Sequence, residues 1–147
     1  MDVFERDLND LLTKTFNYIL RFEEQSLRSL TTPVTVGEAH MLEAVGQSDG
    51  TTASEVAAAL GFALPTVTVA MKRLESKGFV TRTPCDQDAR RAIIRLTVKG
   101  SRVDRAHSLF HRAMVRNITS AYTEEERALL LTAVRRLSDF FRKKVEL

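Results

Sequence analysis

The spacing of apolar positions changes along the chain, and each change marks an element. Over residues 3–30, Leu8, Leu11, Leu12, Ile19 and Phe22 recur close to one stripe, the pattern of a long amphipathic helix. Thr31-Thr32-Pro33 predicts its end, because a residue before proline is biased away from helical backbone. A short helix is expected over 38–47 with Ala39, Leu42 and Val45 inward, stopped by Ser48-Asp49-Gly50. Two more follow over 52–60 and 65–77, joined by a tight corner at Gly61-Phe62, the second closed by Gly78. The pattern then turns strand-like. Residues 79–83 and 92–96 read as a hairpin around the loop Pro84-Cys85-Asp86-Gln87-Asp88-Ala89-Arg90-Arg91. Thr97 can cap a helix reaching about Ala121, with Val103, Ala106, Phe110, Met114 and Ile118 on its apolar side. A last helix over 124–145 uses Leu130, Ala133, Leu137 and Phe141.

Three helix starts carry a threonine followed three positions later by glutamate: Thr35 and Glu38, Thr52 and Glu55, Thr123 and Glu126. In such a capping box each side chain satisfies a backbone N–H that has no helical partner. The resulting fold class is mainly α with one small β-hairpin. A winged helix-turn-helix over 33–100 is embedded between long dimerisation helices at 1–30 and 101–147, in a single domain spanning 1–147. The apolar side chains near the termini, Phe140 and Phe141 among them, are expected to pack against a second copy.

That architecture sets one helix in the DNA major groove and a basic hairpin beside it. On the helix over 65–77, Val67, Ala70, Met71 and Leu74 recur at core spacing, leaving Thr66, Thr68, Val69, Lys72, Arg73 and Ser76 outward. Threonine offers a hydroxyl to phosphates or base edges and a methyl to thymine, and lysine and arginine neutralise phosphate or read guanine. At the hairpin, Asp88 can accept a hydrogen bond from the Arg90 guanidinium and hold it extended toward a narrow minor groove. Arg82, Arg91, Arg95 and Lys99 are placed to meet neighbouring phosphates. The partner expected is double-stranded DNA with a palindromic operator, read by a homodimer.

Charge supports this reading by its distribution rather than its total. The first 50 residues hold 4 basic and 9 acidic side chains, whereas residues 51–105 hold 10 basic and 5 acidic. The net charge is only +3. The positive excess begins where the helix-turn-helix begins, as a footprint on a polyanion should. The single cysteine, Cys85, precludes an intramolecular disulfide and fits a reducing compartment. The acidic N-terminus lacks a secretory pattern and no apolar run approaches the ~20 residues of a membrane span, so the expectation is a cytoplasmic protein with no membrane partner.

Other chemistry finds little support. No phosphate-binding glycine loop, nucleophile elbow or His-Glu-x-x-His stands in the chain, so no catalytic residue, no cofactor and no enzyme activity is expected. His107 and His111 have the spacing that lets two imidazoles reach one ion, with His40 and either Glu38 or Glu43 as further donors. The alternative is histidines that line a pocket or pack under the DNA-binding lobe, and no metal is expected. Cys85, between Arg82 and Arg90, is either an oxidation switch or an incidental wing residue.

Leu60-Gly61, the run from Leu74 to Val80, Asp88-Ala89-Arg90 and the run from Leu96 to Gly100 stand in the order and spacing of the MarR family, which the chain resembles over nearly its whole length. The resemblance implies a homodimeric bacterial transcription regulator, usually a repressor, joined through its terminal helices. Ala89 and Val69 depart from it, standing where arginine or a polar residue is common. Phe16-Asn17, Glu23-Glu24, Leu27-Arg28, Glu38-Ala39-His40, the run Thr68 to Leu74 and the run His107 to Met114 are similar to the FabT-like branch. That likeness implies repression of fatty-acid biosynthesis genes with acyl-acyl carrier protein, or a hydrophobic small ligand, as co-repressor, and an effector site near His107, Phe110, His111 and Met114. The alternatives are a repressor released by a small aromatic, metal or oxidant effector, and an effector-independent DNA-binding protein.

Overall fold

The computed structural model describes residues 1–145. Glu146 and Leu147, the end of the expected 101–147 stretch, lie outside the described residues, as does the side chain of Ala89. The elements are α1 (Val3–Leu27), α2 (Val36–Gly46), α3 (Ala53–Leu60), α4 (Leu64–Ser76), β1 (Val80–Cys85), β2 (Asp88–Leu96), α5 (Val98–Thr119) and α6 (Glu124–Val145). This is the mainly helical winged fold the sequence predicts. Two compact units divide it, Met1–Phe110 and His111–Leu147, and α5 contributes to both. No single helix among the described residues is long and apolar enough to cross a membrane.

Local chemistry sets the helix starts. Thr35 and Glu38, Thr52 and Glu55, and Thr123 and Glu126 each exchange the two bonds of a capping box. A fourth box, Asp2 with Glu5, opens α1. Each such cap contributes about 1 kcal/mol. At Glu55 the Thr51 hydroxyl bond, followed by the Thr52 backbone N–H, holds the carboxyl below its usual range. α1 ends earlier than proline alone implies. The Ser26 and Ser29 hydroxyls donate back to the Glu23 and Ser26 carbonyls at 2.7 and 3.0 Å, which competes with helical continuation.

The core of the first unit gathers Leu42, Val45, Val56, Val67, Met71, Leu74, Phe79 and Ile94 from α2, α3, α4 and the hairpin. β1 and β2 pair antiparallel from Val80 opposite Leu96 to Pro84 opposite Ala92, with an irregularity at Pro84/Cys85. The strands are thus longer than expected and leave Asp86-Gln87 as the turn. Pro84 does not break β1, because in a two-stranded sheet every strand is an edge and an N–H can be spared. Thr51 extends the sheet by one bridge, exchanging backbone bonds of 3.0 and 2.7 Å with Ile94.

The start of α5 lies hard against the root of the wing. A Cβ at Gly100 would collide with the Phe79 carbonyl oxygen, which already accepts the Thr97 N–H at 3.0 Å. The Thr97 hydroxyl accepts the Gly100 N–H at 3.1 Å and donates to the Gly78 carbonyl at 2.6 Å. Two expected inward positions on α5 are exposed, Ala106 and Ile118, and His107 takes the buried place one turn after Val103. On α6 no described residue is buried: Leu130, Ala133 and Phe141 are exposed and Leu137 is half-buried.

Candidate nucleic-acid interface

On α4, Val67, Met71 and Leu74 are buried and Ala70 is half-buried, which fixes the opposite face. Thr66, Val69, Lys72, Arg73 and Ser76 are exposed and Thr68 is half-buried. The Thr68 hydroxyl donates to the Leu64 carbonyl at 3.0 Å, leaving its lone pairs to accept. Ala63 precedes α4 with no side-chain cap and a proline sits in the first turn, so the N-terminal N–H groups point outward without a side-chain partner.

The other end of α4 is tied down. Lys77 donates to both carboxylate oxygens of the buried Glu38 at 2.9 and 3.0 Å, joining the end of α4 to the start of α2. Lys99 of α5 donates to the Lys77 carbonyl at 2.7 Å while lying over the Phe79 ring. Arg82 of β1 donates to Glu75 at 3.2 Å. Lys99 and Arg82, expected to meet phosphates, therefore have structural partners, and Arg95 lies 3.8 Å from Asp49.

Two grooves flank the outer face. Thr68, Arg82, Arg90 and Arg91 line one, between α4 and the hairpin. Thr66, Val69 and Arg73 line the other, toward the start of α2. Lys72 is exposed on the same helix and borders neither. Arg90 and Arg91 are exposed but stand within β2 rather than at a loop tip. The Asp88 carboxylate accepts the Arg90 backbone N–H at 3.0 Å, not the guanidinium expected, because an i,i+2 bond to the main chain forms without ordering a long side chain. Cys85 is half-buried beside the irregularity in the hairpin.

The candidate effector residues follow α5. His107 is buried in the first unit, and the Phe110 ring centre lies 4.8 Å from that of Phe22 on α1. His111 and Met114 come further along the helix, in the second unit, and are half-buried. The first unit also holds a group the sequence reading missed. Glu23 of α1 is buried, and its Oε1 lies 3.3 Å from His40 Nε2 and 3.7 Å from His107 Nε2. Glu38, one of the two acidic donors considered, is engaged instead by its capping box and Lys77. Glu43, the other, faces His107 Nδ1 at 3.3 Å. A signal for Glu23 was present: it stands four residues after Ile19 and four before Leu27, a charge on an apolar stripe.

Comparison with known proteins adds the following. A model of the MarR family matches residues 32–91. The HTH-type transcriptional regulator BilQ of Clostridium symbiosum is 32% identical over 109 residues, 71% of this chain and 72% of that protein. Streptococcus pneumoniae FabT, solved in complex with DNA, is similar with a TM-score of 0.88 at 34% identity, covering 95% of this chain and 98% of that one. S. aureus MepR, solved as a DNA complex, gives a TM-score of 0.75 at 25% identity, covering 89% and 94%.

Proposed function

The chain belongs to the MarR family of transcription regulators, and from that premise we propose that it is a homodimeric repressor of fatty-acid biosynthesis genes that binds a palindromic operator. The observation that carries the reading is the outer face of α4. Thr66, Thr68, Val69, Lys72 and Arg73 stand outward beside a hairpin that presents Arg90 and Arg91. In a dimer two such helices enter successive major grooves about 34 Å apart. Arg90 reaches the flanking minor groove, Asp88 shapes the backbone under it, and Arg91 and part of Arg82 face phosphate. Exposed apolar side chains of the terminal helices, such as Phe4, Leu11, Phe16, Leu129, Phe140 and Phe141, support a second copy as what covers them. The similarity to FabT supports the fatty-acid branch.

In this reading acyl-acyl carrier protein is the co-repressor. Phe22 and Phe110 form an apolar wall between α1 and α5, with Met114, His107 and His111 along the same helix. Exposed Arg102, Arg105 and Arg112 provide positive surface for an acidic carrier. A 10- to 100-fold gain in operator affinity needs only ~1.4–2.7 kcal/mol of differential binding. The test is anisotropy of labelled promoter DNA from fatty-acid synthesis genes, with and without long-chain acyl carrier protein, across a salt series. Tighter binding with the acylated carrier is expected, and Arg90→Ala lowers the slope of log affinity against log salt by about one unit. Indifference to the carrier refutes the branch. Indifference to any duplex at low salt refutes the DNA reading.

A further inference from the structure

The side chains of Glu23, His40 and His107 converge from three helices at a place the DNA-reading surface does not use. We propose that they form a binding site for a divalent transition-metal ion of the zinc type. Their ligand atoms all lie within 4.8 Å of one another. Two ligands ~2.0–2.1 Å from one tetrahedral ion sit ~3.4 Å apart. Glu23 Oε1 stands 3.3 Å from His40 Nε2 and 3.7 Å from His107 Nε2, so both carboxylate–imidazole pairs lie within a few tenths of an ångström of that spacing.

Three further features fit an ion. The far nitrogen of His107, Nδ1, faces the Glu43 carboxylate at 3.3 Å, and a carboxylate behind an imidazole is what orients a metal-binding histidine and raises its basicity. The Glu23 and His107 side chains are 3% and 0% exposed, and a carboxylate so deeply buried is stabilised by a cation beside it. His40, at 39%, opens the site to solvent and gives an ion a way in. Two imidazoles and one carboxylate make a borderline donor set. It suits zinc and its first-row neighbours rather than magnesium or calcium, which take oxygen ligands. The remaining position is left to water.

The experiment uses the full-length protein, stripped with chelator and titrated with zinc against a chromophoric competitor, with cobalt(II) as a spectroscopic substitute. One zinc per chain with Kd below about 1 µM is expected, and tetrahedral d–d absorption with cobalt. Zinc raises the melting temperature, because it binds the folded chain alone. His40→Ala and Glu23→Gln each weaken binding by 100-fold or more, and Glu43→Gln by about tenfold. His40 is the informative site, being half-exposed: His40→Ala keeps the metal-free melting temperature and helical circular dichroism but loses the zinc-dependent rise. Zinc bound no tighter than 100 µM, or bound equally well by His40→Ala and Glu23→Gln, overturns the proposal. No DNA enters these measurements, so their failure is separable from failure of the operator reading.

Discussion

Replacing Lys77 by methionine keeps the aliphatic stem and removes the ammonium that Glu38 holds. The Glu38 side chain is 6% exposed and that of Lys77 32%, with bonds of 2.9 and 3.0 Å to the two carboxylate oxygens. Exposed ion pairs contribute about 0–1 kcal/mol, whereas removing one partner of a fully buried pair costs about 3–5 kcal/mol. This pair lies between the limits. Glu38 also keeps the Thr35 N–H at 3.1 Å, which satisfies part of its desolvated charge. The expected loss for Lys77→Met is therefore about 2 kcal/mol. It is measured as a shift of the urea midpoint with unchanged m, at one fixed protein concentration. Glu38→Gln alone loses about 1 kcal/mol, and the double variant loses less than the sum, with a coupling of about 1 kcal/mol. Operator affinity falls in Lys77→Met while its salt slope stays constant, since the ammonium faces Glu38 and not a phosphate. A loss under about 0.5 kcal/mol, or additive single effects, would refute the claim that this pair fixes the end of α4.

The remaining predictions concern other joints. Gly100→Ala drives a Cβ into the Phe79 carbonyl and costs about 3 kcal/mol by urea denaturation, whereas Gly37→Ala, whose Cβ meets only Thr35 Oγ1 at 4.0 Å, gains up to about 1 kcal/mol; equal effects count against the tight approach of α5. Burial, then the Glu43 charge, raises the Asp104 carboxyl above its ordinary value, so the folded chain holds the proton more tightly and stability falls as pH rises through that range. Asp104→Asn removes this fall and melts higher at neutral pH; a thermal melt series parallel to wild type from pH 4 to 8 speaks against it. Thr68→Ala and Lys72→Ala change the bases preferred in a binding-site selection, and an unaltered motif means that these side chains do not read sequence.

What was legible in the sequence was local. Thr52 and Glu55, or Val67 with Met71 and Leu74, satisfy their constraints within one or two turns, so spacing alone places them. The hairpin was legible in existence but not in length. Pro84 reads as a breaker until the sheet is known to have two strands, when its missing N–H costs nothing. On α5 the helical phase slipped by one position. Alanine passes for apolar and takes the inward place, although His107 already reads as able to line a pocket or pack under the lobe; the partners that bury it come from α1 and α2. Glu23 was missed for the same reason, its nearest imidazoles lying 17 residues away and further downstream. The Asp88–Arg90 pairing failed differently: adjacency was right, but the backbone N–H took the acceptor first.

The uneven anchoring of α4 bears on how a regulator of this shape can be controlled. Its C-terminal end is held by Glu38 of α2, by Glu75 with Arg82 of β1, and by Lys99 and Thr97 at the start of α5, which bond the Lys77 and Gly78 carbonyls. Its N-terminal end, with Pro65 and Thr66, is exposed and carries no side-chain cap. A helix of 13 residues is ~20 Å long, so a tilt of ~5° about the anchored end carries the free end through ~1.7 Å. A hydrogen bond to a base edge tolerates only a few tenths of an ångström. An effector that displaces α2 or α5 by a small amount thus has enough leverage to abolish base contacts without unfolding anything. The phosphate contacts proposed for Arg90 and Arg91 would come from side chains on β2 and so lie off that lever. Regulation through α2 or α5 therefore alters specific binding far more than non-specific binding, and comparing the two with and without effector isolates the lever from a general loss of charge contacts.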